Sequence, residues 1–142
     1  VIPQQALLRL SLRALNPTVR EQMLERVNAI IHTQAASFGC TVHVEHRPAY
    51  PVLVNHAEET EFARQVGVAL LGADAVDGNT RTLMGSEDFA WMLQRCPGSY
   101  LFIGNGVSRP MVHNPAYDFN DDILLTGAAY WGALAESWLK PA

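Results

Sequence analysis

Between Ala6 and Ala14 apolar and polar side chains alternate, with Leu8, Leu10 and Leu12 on one side and Arg9, Ser11 and Arg13 on the other. A period of two predicts a strand with one buried face. The pattern then changes. Asn16 has the chemistry of a helix N-cap and Pro17 that of a first helical residue. Val19, Met23, Val27, Ile30 and Ile31 follow at helical spacing, and Gly39 stands where a left-handed residue closes a helix. Alternation returns over Cys40 to His46, where Val42 and Val44 are expected to face inward. Strand, helix and strand in this order predict half of a two-layer sheet-and-helix unit.

Pro48, Pro51 and the residues up to Asn55 interrupt the pattern, and a domain boundary is expected there, dividing the chain into 1–53 and 54–142. Beyond it, Glu58, Glu59 and Glu61 suit the first turns of a helix that Gly72 would close. Residues 73–83 read as loop with a short strand. Ser86 is placed to cap a helix running from Glu87 to near Arg95, ended by Pro97-Gly98. Tyr100 to Ile103 is a short apolar run with the look of a buried strand. A loop rich in Gly and Pro follows, from Gly104 to Pro115. The last helix is expected from near Asp122 to Leu139, with Leu124, Ala128, Trp131, Ala135 and Trp138 on its apolar face. The fold class is therefore α/β, in the mixed α+β sense.

Composition narrows the function. At 142 residues with 49% hydrophobic and 17% charged, the chain can build a packed core, which excludes bulk disorder. A net charge of -4 argues against a nucleic-acid partner, which calls for a basic face. No apolar run approaches the roughly 20 residues of a membrane-spanning helix. Two cysteines, Cys40 and Cys96, make no disulfide framework, and a reducing cytoplasm is the simpler setting. The first residue is Val1, and no signal peptide is visible, which reads as a processed product or a piece of a longer chain.

Several segments offer chemistry. Cys40, His43 and His46 have metal-like spacing, but on a strand His43 points away from the other two, so a solvated edge is the better reading. Gly104-Asn105-Gly106 starts like a dinucleotide loop, yet Arg109 holds the third glycine's place. Asp118 to Asp122 starts like a calcium loop, yet Ile123 and Ala129 occupy the turn-glycine and bidentate-Glu positions. Both are rejected. His32 and His56 read as ordinary surface residues. His113 differs: it lies in a loop without apolar periodic neighbours, and with Asp118 behind it could serve as a metal ligand. Met84-Gly-Ser-Glu-Asp-Phe89 reads on its chemistry alone as a capped helix start, although such a turn can also hold an anion.

Together, Met84-Gly-Ser-Glu-Asp-Phe89 and His113-Asn-Pro-Ala-Tyr-Asp-Phe-Asn-Asp121 resemble the signatures of the metal-dependent aminoacylase and hippurate hydrolase family, which includes N-acyl-amino-acid and indole-acetyl-amino-acid amidohydrolases. Val1-Ile-Pro3, Asn16-Pro-Thr-Val-Arg20 and Tyr50-Pro-Val-Leu-Val-Asn55 fall in that family's order. The resemblance covers nearly the whole chain but only the last part of the family's length. It implies that residues 1–53 are the second half of an inserted dimerisation (lid) domain, and 54–142 the C-terminal segment of a zinc-peptidase-like catalytic domain.

By the same resemblance His113 is the last ligand of a two-metal site, and Asn55 and Ser86 contact or border the substrate. Zinc, manganese, cobalt or nickel would suit a histidine and carboxylate environment. The family's Cys-Gly-His-Asp-Gly-His-like ligand segment and its Glu-Glu base pair do not occur here. The expectation is a homodimeric, cytoplasmic amidohydrolase acting on N-acyl amino acids, of which this stretch alone holds too little of the site for turnover. The competing expectation is a non-catalytic oligomerisation or binding module.

Overall fold

The computed structural model describes residues 1–48 and 50–140. Among the described residues the α-helices are α1 (Pro17–Ser37), α2 (Ala57–Leu71), α3 (Phe89–Leu93) and α4 (Leu124–Trp138). Short 3-10 turns occupy Ala73–Ala75 and Asp121–Ile123. The chain forms two compact units. One comprises Val1–Leu53 with Thr82–Met92, the other Val54–Arg81 with Leu93–Ala142.

The first unit is built on α1. The Asn16 side-chain oxygen accepts from Thr18 N at 2.9 Å and Val19 N at 3.3 Å, and Pro17 sets the helical φ where no amide bond is needed. At the other end Gly39 adopts φ +64. Gly39 N–H donates to Ala36 O at 3.0 Å and Cys40 N–H to Ala35 O at 2.9 Å. These two bonds form a Schellman closure. Met23, Leu24, Val27 and Ile31 are half-buried, whereas Val19 and Ile30 of the expected apolar face stay exposed.

The expected strands are not formed: among the described residues no strand is assigned. A strand exists only when a neighbouring edge pairs with its amides and carbonyls, and the segments around Leu10 and Val42 meet no such edge. Their side-chain alternation persists without it. Leu12 and Ala14 are half-buried, as are Val42 and Val44, but Leu8 and Leu10 are exposed. The segment after α1 is tied back by a side chain instead, since the His46 ring nitrogen Nε2 lies 2.8 Å from the Asn28 amide nitrogen and 3.0 Å from its oxygen. Also in this unit, Arg13 Nη1 donates to the carbonyl of Met84.

Helix α3 is shorter than expected and is started differently. Phe89 N–H donates to the Glu87 carboxylate at 3.3 Å, while Ser86 makes no hydrogen bond among the described residues. The carboxylate, one residue further on, reaches the helix-start amide that the hydroxyl was expected to satisfy.

The second unit pairs α2 with α4. Ala63, Val66 and Gly67 form the buried face of α2. Tyr130 of α4 lies against it: its hydroxyl donates to Ala63 O at 2.9 Å, and its ring lies over Gly67, where an added Cβ would be in ordinary van der Waals contact, 3.6 Å from Cε2. Burial pushes the Tyr130 phenol up. Phe62 and Trp138 meet edge to face, with centroids 5.3 Å apart.

The packed side of α4 carries Ile123, Gly127, Tyr130, Leu134 and Ser137, which corrects the expected face. Trp131 and Trp138 are each 64% exposed, and Leu124 is exposed too. Only Glu136 is charged along α4, so apolar periodicity cannot choose a side. Contact of the Ile103 side chain with Gly127, where an added Cβ would sit 3.4 Å from Cδ1, and the Tyr130 hydroxyl choose it instead.

Candidate functional site

Asn55 stands just before α2, and its amide is used within the chain. Its Nδ2 donates to Tyr100 O at 2.9 Å and its Oδ1 accepts from Tyr100 N at 2.8 Å. One side chain thus supplies the two bonds that a neighbouring strand would give residue 100. The run from Tyr100 to Ile103, expected as a buried strand, is held this way and is only partly covered, with Phe102 66% exposed.

His56 corrects its reading as an ordinary surface residue. Its N–H donates to Gly98 O at 3.0 Å, and its ring Nδ1 accepts from Gly98 N–H at 3.2 Å. Thr60 and Ser99 hydroxyls meet at 3.0 Å beside it. Residues 55–60 and 98–100 are therefore joined by side-chain bonds from three consecutive contact points. Nothing local in the sequence signals this, because the partners lie 39 to 45 positions apart.

His113 occupies a loop closed at its base by Asn105. The Asn105 Nδ2 donates to Asp118 O at 3.1 Å, and its Oδ1 accepts from Asn120 N–H at 2.9 Å. Arg109 lies 3.9 Å from the Asp118 carboxylate. Within the loop, Asn114 N–H donates to Met111 O at 3.1 Å, closing a four-residue turn. His113 is its third residue and has φ +68, the one non-glycine residue with positive φ among those described. That turn position ordinarily belongs to Gly or Asn. A histidine there costs backbone energy, and such strain concentrates at functional sites.

Of the expected site residues, Asn55 bonds Tyr100 and His113 is exposed and makes no hydrogen bond among the described residues, both in the second unit, while Ser86 belongs to the first. Asp118, expected behind the His113 ring, is turned to Arg109. Among the described residues no three His, Cys, Asp or Glu side chains are placed to hold one metal ion. The residues present therefore do not by themselves fit a metal centre. Cys40, His43 and His46 do not converge either: the Cys40 thiol points to Phe38 O at 3.6 Å and His46 is engaged with Asn28. Both cysteines are free and exposed. No helix is long and apolar enough to cross a membrane among the described residues.

The chain is 31% identical to hippurate hydrolase of Campylobacter jejuni over 99% of its own length and 36% of that protein's. It is 33% identical to IAA-amino acid hydrolase ILR1-like 5 of Arabidopsis thaliana, covering 98% of this chain and 34% of the relative. Thermostable carboxypeptidase 2 of Saccharolobus solfataricus is 28% identical over 95% of this chain and 35% of its own. The chain thus spans about a third of the length of the curated relatives it matches. Residues 5–137 match the peptidase family M20/M25/M40. With nearly the whole chain accounted for in this way, the protein belongs to the M20/M25/M40 peptidase family, whose matched relatives here are hydrolases.

Proposed function

We propose that this chain is the C-terminal part of a metal-dependent amidohydrolase that cleaves the linear amide bond of N-acyl amino acids. Two relatives are named for that chemistry, on hippurate and on IAA-amino acids. The observation that carries the reading is the φ of +68 at His113, inside the segment that resembles the family's ligand loop. An exposed histidine gains no burial from this left-handed conformation, so packing does not account for the strain.

In this reading His113 is the one metal ligand the stretch supplies, and the remaining ligands and the general base lie outside it. Residues 1–53 serve as the second half of the dimerisation domain, and 54–142 as the C-terminal segment of a catalytic domain whose sheets are completed by the rest of the protein. Ser86 borders the substrate. Asn55 contributes by fixing the backbone at Tyr100, with a direct substrate contact as its further role. The exposed apolar surface of α4 suits a stretch that works against more protein, and the homodimer belongs to the same reading. Two free thiols suit a cytoplasmic setting.

The test is hydrolysis of N-benzoyl and N-acetyl amino acids by the full-length protein, beside the isolated 142-residue chain. Turnover by the former and none by the latter is expected. Because one relative is named a carboxypeptidase, dipeptides belong in the same panel. Cleavage of dipeptides with no action on N-acyl amino acids would overturn the substrate class, and no turnover of either would favour a binding module.

A further inference from the structure

We propose that Asn105 is a site of spontaneous deamidation, and that its conversion to aspartate or isoaspartate releases the base of the 105–120 loop. Asn105 alone among the chain's asparagines precedes a glycine. The reaction begins when the backbone nitrogen of the next residue attacks the side-chain carbonyl carbon. A side chain on that residue obstructs the approach, and a proline, as after Asn16 and Asn114, has no N–H to give up.

The structure adds two conditions that favour attack at this position. Gly106 has φ +103, a conformation L side chains rarely adopt, so the turn itself demands the glycine that makes the pair susceptible. The Gly106 N–H makes no hydrogen bond among the described residues, so nothing withholds the nucleophile.

The bond changes balance with water as the sole co-reactant. The Gly106 nitrogen forms a bond to Asn105 Cγ and gives up its proton. The Cγ–Nδ2 bond breaks, and Nδ2 leaves as ammonia, carrying that proton. Water then opens the succinimide ring at either carbonyl. One opening gives aspartate, the other isoaspartate with the main chain rerouted through Cβ.

Both amide atoms of Asn105 are engaged in the closed loop, the nitrogen by Asp118 O and the oxygen by Asn120 N–H. Ring closure therefore requires these bonds to let go, and the product does not restore them. Where Nδ2 donated, a carboxylate oxygen now faces the Asp118 carbonyl, an acceptor against an acceptor. The new charge also joins Asp118, Asp121 and Asp122 in one short stretch, with Arg109 already paired to Asp118. Deamidation thus samples the open loop and then holds it open.

The experiment incubates the full-length protein in mildly alkaline buffer and maps its peptides by mass and by isoaspartate content. Limited proteolysis across residues 106–117 is run on the same samples. Conversion at Asn105 ahead of every other asparagine is expected, with cleavage in the loop rising several-fold in step. Asn105→Asp should be cut at the aged rate from the start, and Asn105→Ser, which cannot form the ring, should not change with age. The aged wild type keeps the test valid if Asn105→Asp fails to fold. The Asp77-Gly78 pair loses no ammonia on isomerising, so an unchanged mass separates it. An intact Asn105 while another asparagine converts, or no conversion anywhere, would overturn the proposal. So would conversion without faster cleavage.

Discussion

Asn55 and Tyr100 are joined by a two-point bridge in which one side-chain amide both donates to and accepts from the backbone of one residue, at 2.9 and 2.8 Å. Truncating that amide removes both of these part-buried bonds to the Tyr100 backbone. Asn55→Ala should therefore destabilise the protein by about 1–3 kcal/mol. Denaturant unfolding checks this. Unchanged stability with a raised KM would make Asn55 a substrate contact and nothing more.

A second prediction concerns the α2–α4 contact. Tyr130→Phe removes the bond to Ala63 O but keeps the ring against Gly67, so a loss of about 0.5–1.5 kcal/mol is expected. The phenol has a pKa raised above its ordinary value of 10.0 by burial. A raised value stabilises the fold fully below pH 10 and loses that contribution as pH climbs through the folded-state value. The wild type should accordingly show an alkaline loss that Tyr130→Phe lacks, measured as melting temperature against pH.

His113 offers a separation of stability from activity. His113→Gly relieves a positive φ and should stabilise the loop by up to about 1 kcal/mol. His113→Ala keeps the strain and, lying in an exposed loop, should leave the melting temperature near that of the wild type. In the full-length protein both should lose most amide hydrolysis. Retained turnover in His113→Gly would remove the residue from the site.

Glu61 supplies an acid-side prediction. Two bonds from Arg64 at 2.7 Å and one from Gln65 at 2.9 Å hold its carboxyl down from 4.5 to about 2, with the Arg64 bonds the larger cause. A lowered value contributes stability above pH 4.5 that disappears as pH falls toward 2. The pair is exposed, so the effect should be small and weakened by salt. A carboxyl carbon titration by NMR reads it directly, and Arg64→Ala should return the midpoint toward the ordinary carboxylate range.

What could be read from the sequence was what depends on neighbours along the chain. Asn16, Pro17 and Gly39 define α1 because caps act over three or four residues. Gly72 closes α2 for the same reason. The segments around Leu10, Val42 and Leu101 alternate or run apolar, yet form no ladder, since a strand's existence is decided by a partner that the pattern does not name. On α4 the apolar residues surround the helix, so the periodic choice of Trp131 and Trp138 fell on the exposed side. The side-chain bridges of Asn55, His56 and Asn105 were invisible because each depends on a backbone group far along the chain. His113 was legible as a loop histidine, whereas its turn conformation was not.

The first helix carries a consequence of its own. α1 is closed at both ends by bonds from its immediate neighbours, and no residue along its 21 is fully buried. Its persistence is therefore a local matter, with little cooperative hold from the rest of the fold. α2 does bury residues, at Ala63, Val66 and Gly67. In native-state amide exchange the central amides of α1 should trade their protons first, through fluctuations that leave α2 protected. The two helices would then belong to separate cooperative folding units within one chain.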